Sequence, residues 1–177
     1  MATKITDQQV KNLATQFGFP LSAVKAFIKV ESSGTGFVNG KITIQFEPHI
    51  FKRYTKKVIK NGVEGQTAEW KAFNEAWAID PNATMLSTSY GMGQIMGFNH
   101  KAAGYATVGQ MLDAFKTGEY EQVKGMLNFI KSNVNLRTAM KTLDWKKLAY
   151  YYNGSNYAVN QYDKKLNAAY QAFERTA

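Results

Sequence analysis

The spacing of the apolar residues changes from helical to alternating in one part of this chain only. In the segments before and after it, as in residues 10–17, apolar side chains recur three and four positions apart, which predicts amphipathic helices. Residues 42–47 instead alternate between apolar and polar side chains, as in a half-buried strand. The preceding Asn39-Gly40 pair is a strong signal for a tight hairpin turn. The sequence therefore predicts a mainly α fold with one small β-hairpin.

Local signals set the expected ends of two of these helices. Residues Thr6–Gln9 have the pattern of a capping box, so the first helix is expected to begin after Thr6. Pro48 is expected to open a basic helix that continues to about Lys60. Tyr54 and Val58 then lie on the inner side of that helix by their spacing.

The stretch from Val24 to Gly34 places a carboxylate on the apolar face of a helix. Val24, Phe27 and Ile28 mark the buried face, and Glu31 is the next position of the same series. Gly34 and Gly36 end the helix, so Glu31 lies in its last turn. Burial and the negative end of the helix dipole both raise the pKa of a carboxyl group there, as a general acid near neutral pH requires. The alternative is that Glu31 rotates into solvent at a frayed helix end.

Two further segments carry polar groups that suit a cleft. Thr43, Gln45 and Glu47 share the strand face opposite the apolar one, just after the Glu31 helix. Later, three glycines fall within seven residues of the segment 87–100, which suits a backbone that approaches something closely. The alternative for this segment is a tight core turn, in which a buried Gln94 needs a hydrogen-bond partner.

Composition narrows the classes of function. The chain has 177 residues, a formal net charge of +9 and no cysteine, which fits one domain and excludes disulfides, zinc–thiolate sites and thiol nucleophiles. The two histidines, His49 and His100, are too few for a metal site, and no cofactor is expected. The charge favours polyanionic partners. The basic residues are scattered, apart from a run on the helix after Pro48, so no nucleic-acid groove is indicated.

No stretch is apolar enough to span a membrane or to act as a secretory signal. We therefore expect a protein made in a cytoplasm, whose export needs outside help. One domain is expected over residues 1–177, and the protein is expected to be a monomer.

Three motifs follow one another along the chain: Glu-Ser at a helix end, Gly-x-Gly-Gln-Ile-Met in a loop, and Tyr-Tyr-Asn-Gly after a late helix. Longer strings surround them: Val30-Glu31-Ser32-Ser33-Gly34-x-Gly36-Phe37, Phe46-Glu47-x-His49-x-Phe51, Ser87-Thr88-Ser89-Tyr90-Gly91 through Gln94-Ile95-Met96-Gly97-Phe98-Asn99, Tyr152-Asn153-Gly154, and Tyr162-Asp163-x-Lys165-Leu166 with Ala168-Ala169-Tyr170. The order of the three motifs resembles that of the lysozyme-like superfamily, which includes the soluble lytic transglycosylases. The longer strings are more similar still to the N-acetylmuramidase domain of phage endolysins, over about residues 20–172.

The resemblance implies a lysozyme-like α+β fold, with the hairpin lining a substrate cleft. Residues 1–177 are expected to form this catalytic domain alone, without the separate wall-binding module that many relatives carry. It also implies a peptidoglycan hydrolase that cleaves the β-1,4 bond between N-acetylmuramic acid and N-acetylglucosamine, with Glu31 protonating the glycosidic oxygen. The residues expected to bind the glycan are Thr43, Gln45, Ser89, Tyr90, Gln94 and Met96. Tyr152 and Asn153 are expected to position Glu31 or the sugar.

A hydrolase of this class needs a second group that stabilises or attacks the oxocarbenium-like centre. Glu47 is the best candidate, because it is the other acidic residue on the expected cleft face, where it would activate a water and invert the configuration. The alternative is that Glu47 has a structural role and pairs with His49, Arg53 or a backbone amide. Thr43 is a further candidate for holding the water.

Two other functions stay open at this point. A lytic transglycosylase would use the same Glu31 to form 1,6-anhydro ends, although its usual Gly-Leu-Met-Gln-Ile motif reads Gly-Met-Gly-Gln-Ile here. A non-enzymatic cationic protein would bind or permeabilise the envelope through its basic helices.

For the hydrolase, we expect release from the host cytoplasm to the cell wall through a membrane lesion, with a virion-associated enzyme as the alternative. Attraction of the basic chain to the anionic envelope is a hypothesis that predicts weaker lysis at high salt.

Overall fold

The computed structural model describes residues 3–32, 35–61 and 64–177. Within these residues the fold has ten α-helices and five short strands, with a 3-10 turn at Gly97–Asn99. The helices are α1 (Asp7–Phe17), α2 (Leu21–Glu31), α3 (Pro48–Thr55), α4 (Gln66–Trp77), α5 (Pro81–Leu86), α6 (Val108–Phe115), α7 (Glu119–Ser132), α8 (Val134–Thr142), α9 (Trp145–Asn153) and α10 (Tyr162–Arg175). The strands are β1 (Phe37–Val38), β2 (Lys41–Ile42), β3 (Ile44–Phe46), β4 (Thr88–Tyr90) and β5 (Ile95–Met96).

Strands β1 and β2 form the predicted hairpin. Val38 pairs with Lys41, and the two turn residues between them, Asn39 and Gly40, have φ angles of 51° and 76°. Positive φ at both positions is the type I′ turn that matches the twist of a two-residue hairpin, and Asn and Gly adopt it at little cost. The hairpin prediction is confirmed.

A second sheet lies beside the hairpin, with the antiparallel order β3-β4-β5. Its strands β4 and β5 come from the glycine-containing segment 87–100, in which no strands were predicted. Strand β3 alternates as expected, with Ile44 and Phe46 buried and Gln45 exposed. The expected single strand over residues 42–47 is thus divided at Thr43 between two sheets.

The outer edge of β3 is closed by side chains of α4. The Gln66 amide donates to the Ile44 carbonyl at 2.8 Å and accepts from the Ile44 N–H at 2.9 Å. A carboxylate oxygen of Glu69 accepts from the Phe46 N–H at 2.8 Å and from the Asn61 side chain at 3.0 Å. These bonds satisfy backbone groups that an open edge would leave unpaired.

Helix α2 lies at the centre of the packing, against α1 and α10. Its Val24 and Phe27 are fully buried, as their spacing predicts, in a main core shared with α6 to α10. A smaller core joins α3, α4 and α5 around Phe46 and Phe51. Each fully buried aromatic or branched side chain contributes about 1.5–3 kcal/mol to stability, so the long buried faces hold α2 and its last turn in place.

Two predicted helix boundaries are confirmed and one is wrong. Thr6 caps α1 in a complete capping box, and α2 ends at Glu31; Gly34, a predicted stop residue, lies outside the described residues. The basic helix α3 ends at Thr55, not near Lys60, with the next residue in the left-handed region. Like charges lie four residues apart in this run, at 52 and 56 and at 53 and 57, which opposes a longer helix. Tyr54 and Val58, expected inside, are 50% and 65% exposed.

Candidate active site

Glu31 is the last residue of α2, and its side chain is partly buried. Its Oε2 accepts a 2.7 Å hydrogen bond from Asn153 Nδ2 at the end of α9. Burial raises the pKa of the Glu31 carboxyl from its ordinary 4.5 to about 7, against the opposing effect of the Asn153 hydrogen bond. Glu31 therefore holds its proton near neutral pH, as a general acid must.

Two buried oxygen atoms at this contact have no hydrogen-bond partner among the described residues. They are Oε1 of Glu31 and Oδ1 of Asn153. Since Oε2 is occupied by the Asn153 amide, a proton on Oε1 has no acceptor in the described part of the protein. Unsatisfied buried polar atoms are unfavourable in a resting fold and are concentrated at functional sites. Among the described residues, the proton of Glu31 therefore has no acceptor, as is needed in a group that donates it to a substrate.

Tyr152 connects this carboxyl group to residues 91–94, the turn between β4 and β5, which we call the glycine-containing loop. Its ring packs edge-on against Phe27 of α2, with centroids 5.0 Å apart, and its hydroxyl donates to the Gly93 carbonyl at 3.2 Å. Burial raises the pKa of the Tyr152 hydroxyl, and the charge of the nearby Glu31 raises it further. Tyr152 thus holds the loop beside Glu31 as a neutral hydrogen-bond donor.

Ser89 and Gln94 use their polar groups within the fold. The Ser89 hydroxyl donates to Gln94 Oε1 at 2.8 Å, and Gln94 Nε2 donates to the Gly91 carbonyl at 2.9 Å. Gln94 adopts a φ of 48°, a left-handed conformation that is uncommon for residues other than glycine. Both side chains therefore stabilise the loop through bonds within the fold. The partly buried Gln94 has the hydrogen-bond partners that the core-turn alternative requires.

The glycines of the segment 87–100 are required by packing against α7 and α5. A Cβ on Gly91 would lie 2.7 Å from the Gln122 side chain, and one on Gly93 would overlap Met126. A Cβ on Gly97 would overlap the backbone carbonyl of Met85. The close approach predicted for these glycines is thus an approach to the protein's own core.

Gln122 is a residue of this site that the sequence analysis missed. Its amide is buried, accepts from the Met92 N–H at 2.9 Å, and donates to the carbonyls of Phe115 at 3.1 Å and Gly36 at 3.4 Å. It joins the segment after Glu31 to the glycine-containing loop. A glutamine in the middle of an otherwise apolar helix face was the available signal, but only the tertiary structure names its partners.

Replacing Gln122 with Met is expected to lower the free energy of unfolding by about 3 kcal/mol, because the buried Met92 N–H and Phe115 carbonyl lose this partner and the Gly36 carbonyl keeps only its bond from Thr43. Urea denaturation of the wild type and of the variant measures this difference. Gln110→Met, on an exposed position of α6, is the matched control and should change stability by less than about 0.5 kcal/mol. Equal stability of the Gln122 variant and the control would show that Gln122 does not hold the two segments together.

The polar row of Thr43, Gln45 and Glu47 keeps its predicted alternation. The Thr43 N–H donates to the Gly36 carbonyl at 3.0 Å and its carbonyl accepts from the Gly91 N–H at 2.8 Å, so Thr43 also joins the segment after Glu31 to the loop. Gln45 is exposed. It pairs with Ser89, which in turn pairs with the partly exposed Met96, so these residues share one sheet face.

Glu47 follows β3 at the end of this row. Its N–H donates to the Ser87 carbonyl at 2.9 Å, and its carboxylate, 25% exposed, lies 3.6 Å from His49 Nδ1. Burial raises the pKa of Glu47, the charge of Glu69 raises it further, and His49 opposes the rise. The contact with His49 is one of the alternatives that the sequence analysis left open, and it is long for a hydrogen bond.

Tyr90 lies away from these groups. It is 0% exposed and its hydroxyl donates to the Met85 carbonyl at 2.9 Å. It pairs with Ile44 and Ile95, whose side chains face the core. The expectation that Tyr90 contacts the glycan does not fit this placement, because alternate residues of a strand point to opposite faces and the polar face is that of Ser89.

No group of three or more His, Asp or Glu side chains within residues 3–32, 35–61 and 64–177 is arranged to hold a metal ion. The described helices are also too short or too polar to cross a membrane.

Comparison with known proteins agrees with this geometry. A family model for N-acetylmuramidase matches residues 20–174, a range that contains every group described above. The chain belongs to the N-acetylmuramidase family. The crystal structure of the Burkholderia AP3 phage endolysin superposes on this muramidase with a TM-score of 0.89 and 34% sequence identity, over 98% of this chain and 72% of that one. No match was found among curated protein sequences.

The family and the fold assign the activity class. This muramidase is a glycoside hydrolase that acts on peptidoglycan, with the predicted lysozyme-like fold. Neither the transglycosylase nor the non-enzymatic envelope-binding alternative is favoured by these matches.

Proposed function

We propose that this muramidase hydrolyses the β-1,4 bond between N-acetylmuramic acid and N-acetylglucosamine, with Glu31 as the general acid. The observation that carries the proposal is the state of Glu31: a carboxyl group with a pKa of about 7, one oxygen bound by Asn153 and the other without a partner among the described residues. Such a group gives its proton to the leaving oxygen as the glycosidic bond breaks. Asn153 fixes the orientation of the carboxyl group and stabilises the carboxylate left after transfer.

Glu47 is the proposed partner of Glu31. Its carboxylate is reached by solvent, and it stands at the end of the polar row on β3. As a general base it would remove a proton from a water molecule that attacks the anomeric carbon from the face opposite the leaving group. This reaction inverts the configuration of the sugar. The neighbouring His49 favours the ionised form of Glu47 that a base requires.

The glycan is proposed to lie along the face that carries Thr43, Gln45 and Met96, with Tyr152 and Asn153 beside Glu31. Ser89 and Gln94 would support this face without contacting the sugar, because their polar groups are bonded to each other and to the backbone. We propose further that the protein acts as an endolysin monomer released from the host cytoplasm. Its charge of +9 favours association with the anionic envelope.

The sugar ends of digested peptidoglycan test this function. Purified peptidoglycan is incubated with the protein, and the products are identified by mass spectrometry with and without borohydride reduction. Reducing N-acetylmuramic acid ends are expected. Ends of the 1,6-anhydro type would instead establish a transglycosylase, and N-acetylglucosamine reducing ends would place the cleavage at the other glycosidic bond.

A further inference from the structure

A groove separate from the Glu31 site runs between the β1-β2 hairpin and helices α4 and α6. It consists of three adjoining cavities of about 610, 370 and 230 Å³, and Trp70 and Asn74 line all three. The hairpin supplies Lys41 and α4 supplies Lys71, while Lys116 follows the end of α6. We call this the lysine groove.

The charge of the lysine groove is positive. Its three lysines face one carboxylate, that of Glu75. Within the described residues, none of these lysines lies in a salt bridge. Lys41 Nζ stands 5.6 Å from the centre of the Trp70 ring, so it is held above an aromatic surface and stays available to an anion. Unpaired cations over an apolar floor attract a flexible acidic ligand.

The remaining lining suits a peptide. The side-chain amides of Asn39 and Asn74 and the hydroxyl of Thr67 line the groove, and such groups hydrogen-bond both the N–H and the C=O of a peptide backbone. Trp70 and Phe37 add apolar surface. The lysine groove thus combines apolar surface with polar groups that can fix the orientation of a bound peptide.

The lysine groove is connected to the proposed glycan face through β3. Gln66 lines the groove and bonds both backbone groups of Ile44, the strand residue between Thr43 and Gln45. The hairpin that forms the other wall follows Glu31 by only a few residues along the chain. A glycan on the polar face of β3 would therefore place its substituents near the strand edge where the groove begins.

We propose that the lysine groove binds the acidic stem peptide that branches from N-acetylmuramic acid. This inference rests on the proposed function, since peptidoglycan is the source of the peptide. The free carboxylates of the stem peptide, on its D-glutamate and at its C-terminus, match Lys41, Lys71 and Lys116. The groove thereby gives the enzyme a preference for glycan strands that carry peptides over bare strands.

The test compares two substrates: peptidoglycan strands with their stem peptides and strands stripped of them by an amidase. The selectivity is the ratio of kcat/KM on the first substrate to that on the second. We expect the triple variant K41A/K71A/K116A to lower this ratio about tenfold, the combined effect of three exposed ion pairs. The control variant K11A/K57A/K101A removes the same charge at exposed positions outside the groove and should keep the wild-type ratio.

An unchanged ratio for the groove variant, or an equal fall for the control, would overturn the proposal in favour of general attraction by net charge. Cleavage of neither substrate by the wild type would contradict the proposed function instead.

A direct binding measurement is independent of turnover. Titration of the 15N-labelled protein with N-acetyl-L-Ala-γ-D-Glu-meso-diaminopimelyl-D-Ala should shift the indole N–H signal of Trp70. The same peptide with amidated carboxylates should bind about tenfold more weakly. Equal binding of both peptides, or no shift at Trp70, would rule the groove out as an acidic-peptide site.

Discussion

Glu31→Gln protein is expected to lose about 10³-fold in kcat on peptidoglycan, because an amide cannot give a proton to the leaving oxygen. The size and shape of the side chain are retained, and its oxygen still accepts the bond that Asn153 now donates to Glu31. Release of soluble muropeptides over time measures the loss. Activity of the wild type should fall as pH rises through about 7, where the Glu31 carboxyl group ionises.

A matched control separates this role from a general effect of removing a carboxylate. Glu121 is also partly buried and accepts a hydrogen bond from the Tyr105 hydroxyl at 3.0 Å, in a contact away from Glu31. Glu121→Gln keeps an acceptor there and should retain activity within about twofold. Substantial turnover by Glu31→Gln would exclude Glu31 as the general acid.

The same substitution should stabilise the protein at alkaline pH. The folded-state pKa of Glu31 lies above the ordinary value, so the folded protein binds this proton more tightly than the unfolded chain. The free energy of unfolding therefore falls as pH rises between about 4.5 and 7. Allowing for the exposed part of the side chain, this loss is about 2 kcal/mol. Urea denaturation at pH 5 and pH 8.5 should show Glu31→Gln more stable than the wild type at the higher pH only.

Glu47→Gln is expected to lower kcat about 10²-fold or more, because the attacking water loses its general base. Proton NMR of early products gives a second readout on the wild type. Inversion at a β-linked sugar yields the α-anomer first, whereas retention yields the β-anomer. A slow variant together with an α-anomer product would assign Glu47 as the base of an inverting hydrolase.

A structural role for Glu47 would give another pattern. Its observed contact is with His49, so His49→Ala serves as the control for loss of that pair. If Glu47 only stabilises the start of α3, both variants should lower the unfolding free energy and leave kcat unchanged. Wild-type kcat for a folded Glu47→Gln protein would show that another group positions or activates the attacking water, with Thr43 as the next candidate.

Local sequence patterns were enough to predict several parts of the fold. The apolar period places Val24 and Phe27 in the core and Glu31 at the end of the same helix. The Asn39-Gly40 pair predicts the hairpin, since its turn requires positive φ at both positions. These features depend on residues a few positions apart, whose interactions are the same in any surrounding fold.

The sheet β3-β4-β5 was not predicted, because its strands are two or three residues long and β3 pairs with β4 across more than 40 positions. The glycines left two interpretations open, a close approach of the backbone to something else and a tight core turn, and their packing against Gln122 and Met126 agrees with the core turn. Tyr90 was expected to contact the glycan because it belongs to the same motif as Ser89. Neighbouring residues of a strand point to opposite faces, however, and the side chain of Tyr90 lies in the core.

The sequence by itself determined the helices, the hairpin and the position of one carboxylate in the last turn of an amphipathic helix, because these follow from local periodicity and turn chemistry. Only the tertiary structure decided what that carboxylate is bonded to. Asn153 lies 122 positions away from Glu31, and the burial that raises the pKa of Glu31 comes from packing of the whole fold. Contacts of this kind arise when distant segments meet, so no local pattern contains them.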